Sequence, residues 1–165
     1  MAAFKRVIAH WAVTKYKCDD TSRQHYHFIY EGDGTEVKGI FRPEANLLCI
    51  NGRYAAHTLG CNTGAIGVSC AAMFGAESID SPGKFPITEV QFDAMCKGIA
   101  RQCAKFKILV TPKTVLSHAE VENALGIKQR GKWDIAVLPF AGLETAKACG
   151  DEMRRRVANY VVEAA

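Results

Sequence analysis

The chain has 165 residues, 48% hydrophobic and 23% charged, with a formal net charge of +4. That size and apolar content suit one domain with a packed core and exclude a disordered chain. The charge is too small to mark a nucleic-acid binder, and none is expected, although it suits an anionic polymer or surface.

In chain order, "RVIAHWAV" (6–13) is apolar and β-branched, as a buried strand is. "KYKCDDTSRQ" (15–24) is polar and reads as a loop. "HYHFIYEGDGTEVKGIF" (25–41) is two β-rich runs around Gly32-Asp33-Gly34, a hairpin signal. Turns are expected at Asn51-Gly52 and at Asn62-Thr63-Gly64, followed by a central strand in "AIGVSCAAMF" (65–74). A helix follows with Thr88 as its N-cap, and Val90, Met95, Ile99, Cys103 and Phe106 trace its apolar face. Val110 to Leu116 form an extended element around Pro112, and His118 stands at its end. The tail from about 142 to 163 has helical composition, with Gly150 as a break or cap. Strands separated by helices, with one hairpin, give an α/β (α+β) single domain over 1–165, a central mixed sheet flanked by helices.

Seven cysteines, an odd number without a C-x-x-C pair, fit neither a zinc ribbon nor a thioredoxin motif. They read as reduced thiols of a chain made in a cytoplasm. "MAAFKRVIAHW" lacks the apolar core of a signal peptide. No run approaches the roughly 18 apolar residues of a membrane span.

The histidines are 10, 25, 27, 57 and 118. Each candidate has an ordinary alternative. His10 in "VIAHWAV" and His118 in "LSHAEV" can be satisfied core residues. Asp134 can be a turn or cap residue, and Arg154-Arg155-Arg156 the solvated face of a helix. Two strand-borne histidines and one carboxylate would, however, leave zinc's fourth position open, as a catalytic site requires.

Five segments in order carry a wider resemblance: "VIAHWAVT", "HYHFIYEGDGT", "AAHTLGCNTGAIGVS", "LSHAEV" and "GKWD". Over about residues 6–139 the chain resembles the zinc-dependent N-acetylmuramoyl-L-alanine amidases of type 2, the phage lysozyme-like family that shares its fold with peptidoglycan recognition proteins. The resemblance implies one zinc per chain, held by His10, His118 and Asp134. It implies catalytic roles for Tyr26 and Lys132, the latter beside the scissile carbonyl. His57 corresponds to a cleft histidine tied to substrate, and Asn62 either shapes the cleft or does turn work. His27 is expected to pack or to support the site from behind, and His25 has no assigned role. In the "GKWD" segment, Lys132 and Asp134 should face the cleft and Trp133 should pack away from it.

Two departures bear on the chemistry. Many relatives carry a helix between the first histidine and the tyrosine, where this chain is short and polar; the cleft should be more open there. Some relatives place a catalytic glutamate after the "IG" strand, where this chain reads "IGVSCAAM". Proton transfer would then fall to Tyr26, Lys132 or water. The expected activity is hydrolysis of the amide between N-acetylmuramic acid and L-alanine in peptidoglycan, by a phage or prophage endolysin reaching the wall after holin-type release. A monomer is favoured. The rival readings are a noncatalytic peptidoglycan-recognition module and a binding module that inhibits a host factor.

Overall fold

The computed structural model describes residues 2–164. Five strands form one sheet: β1 (Arg6–Trp11), β2 (Phe28–Tyr30), β3 (Glu36–Lys38), β4 (Ala65–Cys70) and β5 (Val115–Ser117), in the order β3-β2-β4-β1-β5. β2, β4, β1 and β5 run parallel, and only the hairpin partner β3 is antiparallel. The sheet is thus mixed and β4 is its centre; all six of its residues are buried, as in a strand covered on both faces. Four helices accompany it: α1 (Asp20–His25), α2 (Glu89–Phe106), α3 (His118–Leu125) and α4 (Ala146–Glu163).

Alternation along β1 divides the molecule. Val7, Ala9 and Trp11 enter the large core, which includes Phe92, Met95 and Ile99 of α2 and Met153 and Val157 of α4. Ile8 enters a small cluster with Cys61, Ala65, Leu116 and Val121 beside α3. His10 shares the parity of Ile8, so it emerges on the thinly covered face, where a cleft can form.

Several elements differ from expectation. Residues 20–25 are helical, because Asp19 caps α1 by accepting the Ser22 N–H at 2.7 Å. Thr88 does cap α2, with Gln91 completing a capping box. The apolar face of α2, however, runs through Phe92, Met95, Cys96, Ile99 and Cys103, while Val90 is 60% exposed. Val90 lies five residues from Met95, out of phase with a 3.6-residue repeat. β5 begins only at Val115, since Thr111–Thr114 turns on itself with the Val115 N–H bonded to the Thr111 carbonyl at 2.9 Å. α4 runs unbroken through Gly150. The arginine triplet is not a solvated face, for Arg154 is buried and Arg156 half-buried against Glu152, Glu89 and Asp93.

Candidate metal centre and cleft

β1 and β5 are parallel neighbours with Ala9 opposite Ser117. His118 is the first residue of α3, so it is helix-borne, yet it falls one step beyond that pair and beside His10. Adjacent strands lie about 4.8 Å apart, which brings the two imidazoles together. Asp134 arrives from the loop after α3. Its carbonyl accepts the Ala119 N–H, which ties the loop to the residue following His118.

Three ligand atoms converge. His10 Nδ1 lies 3.1 Å from His118 Nδ1 and 3.2 Å from Asp134 Oδ2, and the latter lies 3.4 Å from His118 Nδ1. All three residues are buried, and they are the only group of this kind among the described residues. A tetrahedral ion with bonds of about 2.0–2.1 Å holds its ligands roughly 3.3–3.4 Å apart. The observed triangle matches that spacing. Burial lowers the His10 pKa below its ordinary value, against the pull of Asp134. Burial opposes ionisation of Asp134, but the His10 and His118 rings against its carboxylate outweigh this and hold its pKa below its ordinary value. A neutral imidazole and a carboxylate are the states that ligate a metal.

The surrounding hydrogen bonds select the tautomers. Assigned from the network, the Nε2–H of His118 donates to Gln129 Oε1 at 2.7 Å, and Gln129 Nε2 donates to the Leu59 carbonyl at 2.8 Å. His57 Nε2–H donates to the Ala65 carbonyl at 3.3 Å, so its Nδ1 can accept from His10 Nε2–H, also at 3.3 Å, and from the Thr58 hydroxyl at 2.8 Å. Both site histidines thereby turn a bare Nδ1 lone pair inward. Three electron-rich atoms this close repel one another unless a cation lies between them. Orienting a metal-binding imidazole through its other nitrogen is how proteins fix such ligands.

The site opens into a cleft of about 710 Å³ lined by Trp11, Tyr26, Tyr54, His57, Lys132 and Trp133, among others. The Tyr26 ring centroid is 5.1 Å from that of His10. Burial, and then the charge of Asp134, raise the Tyr26 hydroxyl pKa well above normal, so at neutral pH it is a donor. Lys132 is exposed at the rim. Trp133 stacks edge-on with Trp11 at 4.6 Å and packs against the large core, although both residues also contribute to the cleft lining. Asn62 lines the cleft, and its Oδ1 accepts the N–H groups of His57 and Thr58, each at 2.9 Å. It holds the loop that carries His57. His25 donates from Nδ1 to the Ala56 carbonyl at 2.9 Å, away from the metal group.

His27 sits one layer back. Its Nδ1 accepts the Gly67 N–H at 2.9 Å and its Nε2–H donates to Asn46 Oδ1 at 3.0 Å. It therefore links β4 to the segment that braces residues 46–55. Gln129, Thr58 and Gly67 were absent from the sequence reading. Gly67 is required because a Cβ there would lie 2.5 Å from the His57 ring. All seven cysteines are free thiols, and none belongs to the metal group.

The family model described as N-acetylmuramoyl-L-alanine amidase matches residues 2–135. Among curated proteins none matches. The fold is similar to that of N-acetylmuramoyl-L-alanine amidase LysC from Clostridium intestinale URNW, at 14% identity and a TM-score of 0.53, covering 94% of this chain and 85% of that one. It is also similar to the Staphylococcus aureus hydrolase AmiA, at 9% identity and a TM-score of 0.59, covering 99% and 76%. At these identities the two structures speak to the fold alone. The family match spans all five strands and every connection between them, and it includes every residue of the His-His-Asp group; the chain belongs to the N-acetylmuramoyl-L-alanine amidase family.

Proposed function

We propose that this amidase is zinc-dependent, with His10, His118 and Asp134 as ligands, and that it cleaves the bond between N-acetylmuramic acid and L-alanine as a phage or prophage endolysin. The observation that carries the metal reading is the triangle of inward-facing Nδ1, Nδ1 and Oδ2 atoms at 3.1–3.4 Å. When bound, zinc supplies Lewis acidity, which acidifies water toward a pKa of about 7 and polarises an amide carbonyl.

The chain's own groups do the rest. His57 and Gln129 hold the two imidazoles in the ligating tautomer. Tyr26, protonated at neutral pH, donates a hydrogen bond into the cleft beside His10 and orients the attacking water or the carbonyl. Attack turns the carbonyl oxygen into an oxyanion, and the Lys132 ammonium at the rim stabilises charge that exists only then. The proton for the departing amine comes from solvent, Tyr26 or Lys132, since no carboxyl group other than Asp134 lines the cleft among the described residues. Seven free thiols fit a protein made in a reducing cytoplasm, and wall access then follows a holin-type lesion.

The test is digestion of purified peptidoglycan, with products read by mass spectrometry. Stem peptides with a free N-terminal alanine, formed with zinc and lost with chelator, are the expected outcome. Binding to the wall without release of peptide would favour a noncatalytic recognition module instead.

A further inference from the structure

α4 lies beyond residues 2–135, the part that the amidase family model matches. One of its side chains nevertheless reaches the segment that carries His118. Arg154 is buried, and its guanidinium makes four bonds. Nη1 donates to the Val115 carbonyl at 3.0 Å and to Glu120 Oε2 at 3.1 Å. Nη2 donates to Glu120 Oε1 at 2.8 Å and to Asp151 Oδ1 at 2.9 Å. The pair with Glu120 is bidentate, the geometry that a planar fork makes and an ammonium does not.

The two grip points bracket His118. Val115 opens β5, the short edge strand paired to β1. Glu120 is in the first turn of α3, and its Oε2 also accepts the Ser117 N–H at 2.9 Å and the Ser117 hydroxyl at 3.3 Å. Glu120 is thus the acidic half of the capping box that starts α3 at His118. Arg154 holds that carboxylate from one side while Ser117 uses it from the other. Gly150 makes the approach possible, because a Cβ there would lie 2.2 Å from Glu120 Oε1.

We propose that Arg154 is a positioning residue for the metal centre: by clamping Val115 and Glu120 it fixes where β5 passes into α3, and so where the Nδ1 of His118 points. α4 is then part of the site's machinery as well as of the core. This inference rests on the reading of His10, His118 and Asp134 as zinc ligands.

The experiment is competitive zinc titration against a chromophoric chelator, with thermal unfolding and far-UV circular dichroism on the same samples. Outer partners of metal ligands are worth about ten- to a hundredfold in affinity, and Arg154→Met should weaken zinc binding by that factor. Arg154→Lys should restore only a small part, since it cannot grip both oxygens and the carbonyl. Met at 154 also strands the Glu120 charge, which is destabilising on its own. Arg154→Met combined with Glu120→Gln removes that charge; it should recover thermal stability while zinc binding stays weak. Gly150→Ala keeps every hydrogen-bonding group but displaces Glu120, and it should weaken zinc in the same direction if Arg154→Met does not fold. A folded Arg154→Met or Gly150→Ala protein with wild-type zinc affinity would overturn the positioning role. Wild-type protein that binds no zinc would instead overturn the metal reading beneath it.

Discussion

Replacing Gly67 by alanine puts the tautomer argument under direct strain. The added Cβ would lie 2.5 Å from Cγ and Cδ2 of His57 and 3.0 Å from its Cβ. Carbon atoms pack at about 3.5–4.0 Å, so the imidazole must retreat by roughly 1 Å. The His10 Nε2 to His57 Nδ1 separation is already 3.3 Å. A further retreat of about 1 Å takes it beyond hydrogen-bonding reach. His10 then keeps only the longer Thr58 hydroxyl contact, at 3.4 Å, and loses the ring acceptor that holds its proton on Nε2 and its Nδ1 free. The expected loss is about ten- to a hundredfold in zinc affinity, with an overpacking cost of about 1–3 kcal/mol in stability. Zinc competition and thermal unfolding on the same preparation measure both. Adding His57→Ala makes room for the methyl, so the double variant should regain stability but not zinc affinity. A folded Gly67→Ala protein that binds zinc as wild type does would refute the proposed role of His57.

Three other outcomes are expected. Lys132→Ala should retain zinc and wall binding while kcat falls by about a hundred- to a thousandfold, the cost of losing one donor to a developing oxyanion; near wild-type kcat would remove it from the chemistry. Burial pushes the His27 pKa down to about 4 from an ordinary 6.5, and the Gly67 N–H aimed at Nδ1 leaves no place for a second proton. The unfolded chain therefore takes up that proton first on acidification. The contribution of His27 is full above pH 6.5 and is lost between 6.5 and 4, amounting to about 2 kcal/mol by pH 5. Urea unfolding at pH 8 and pH 5, for wild type and His27→Gln, should show the steeper loss in wild type; equal slopes would contradict it. Alkylation of folded protein should leave zinc content and turnover largely intact, because no cysteine belongs to the metal group and five of the seven are buried.

What could be read from the sequence was whatever depends on local pattern. The apolar, β-branched run of β1 announced a strand with His10 on it, the Gly32-Asp33-Gly34 turn announced the β2–β3 hairpin, and Thr88 announced the start of α2. The family resemblance implied that His10, His118 and Asp134 form one group, and they do meet. What escaped depends on partners distant in sequence. Gln129 touches His118 eleven residues away and Leu59 seventy residues away, and nothing in "GIKQRG" marks its amide. Gly150 looked like a helix break because its reason is a carboxylate on another helix. Arg154 looked solvated for the same cause, since its partners Val115 and Glu120 lie 39 and 34 residues back. α1 escaped because six polar residues carry no apolar period, and its start rests on a single Asp19 cap.

The most direct measurement is the zinc content of purified protein after exhaustive dialysis, determined by elemental analysis for wild type and for His118→Ala. The account predicts about one zinc per wild-type chain and close to none in the variant, with the variant still folded. Equal zinc in the two proteins, or none in wild type, would contradict it.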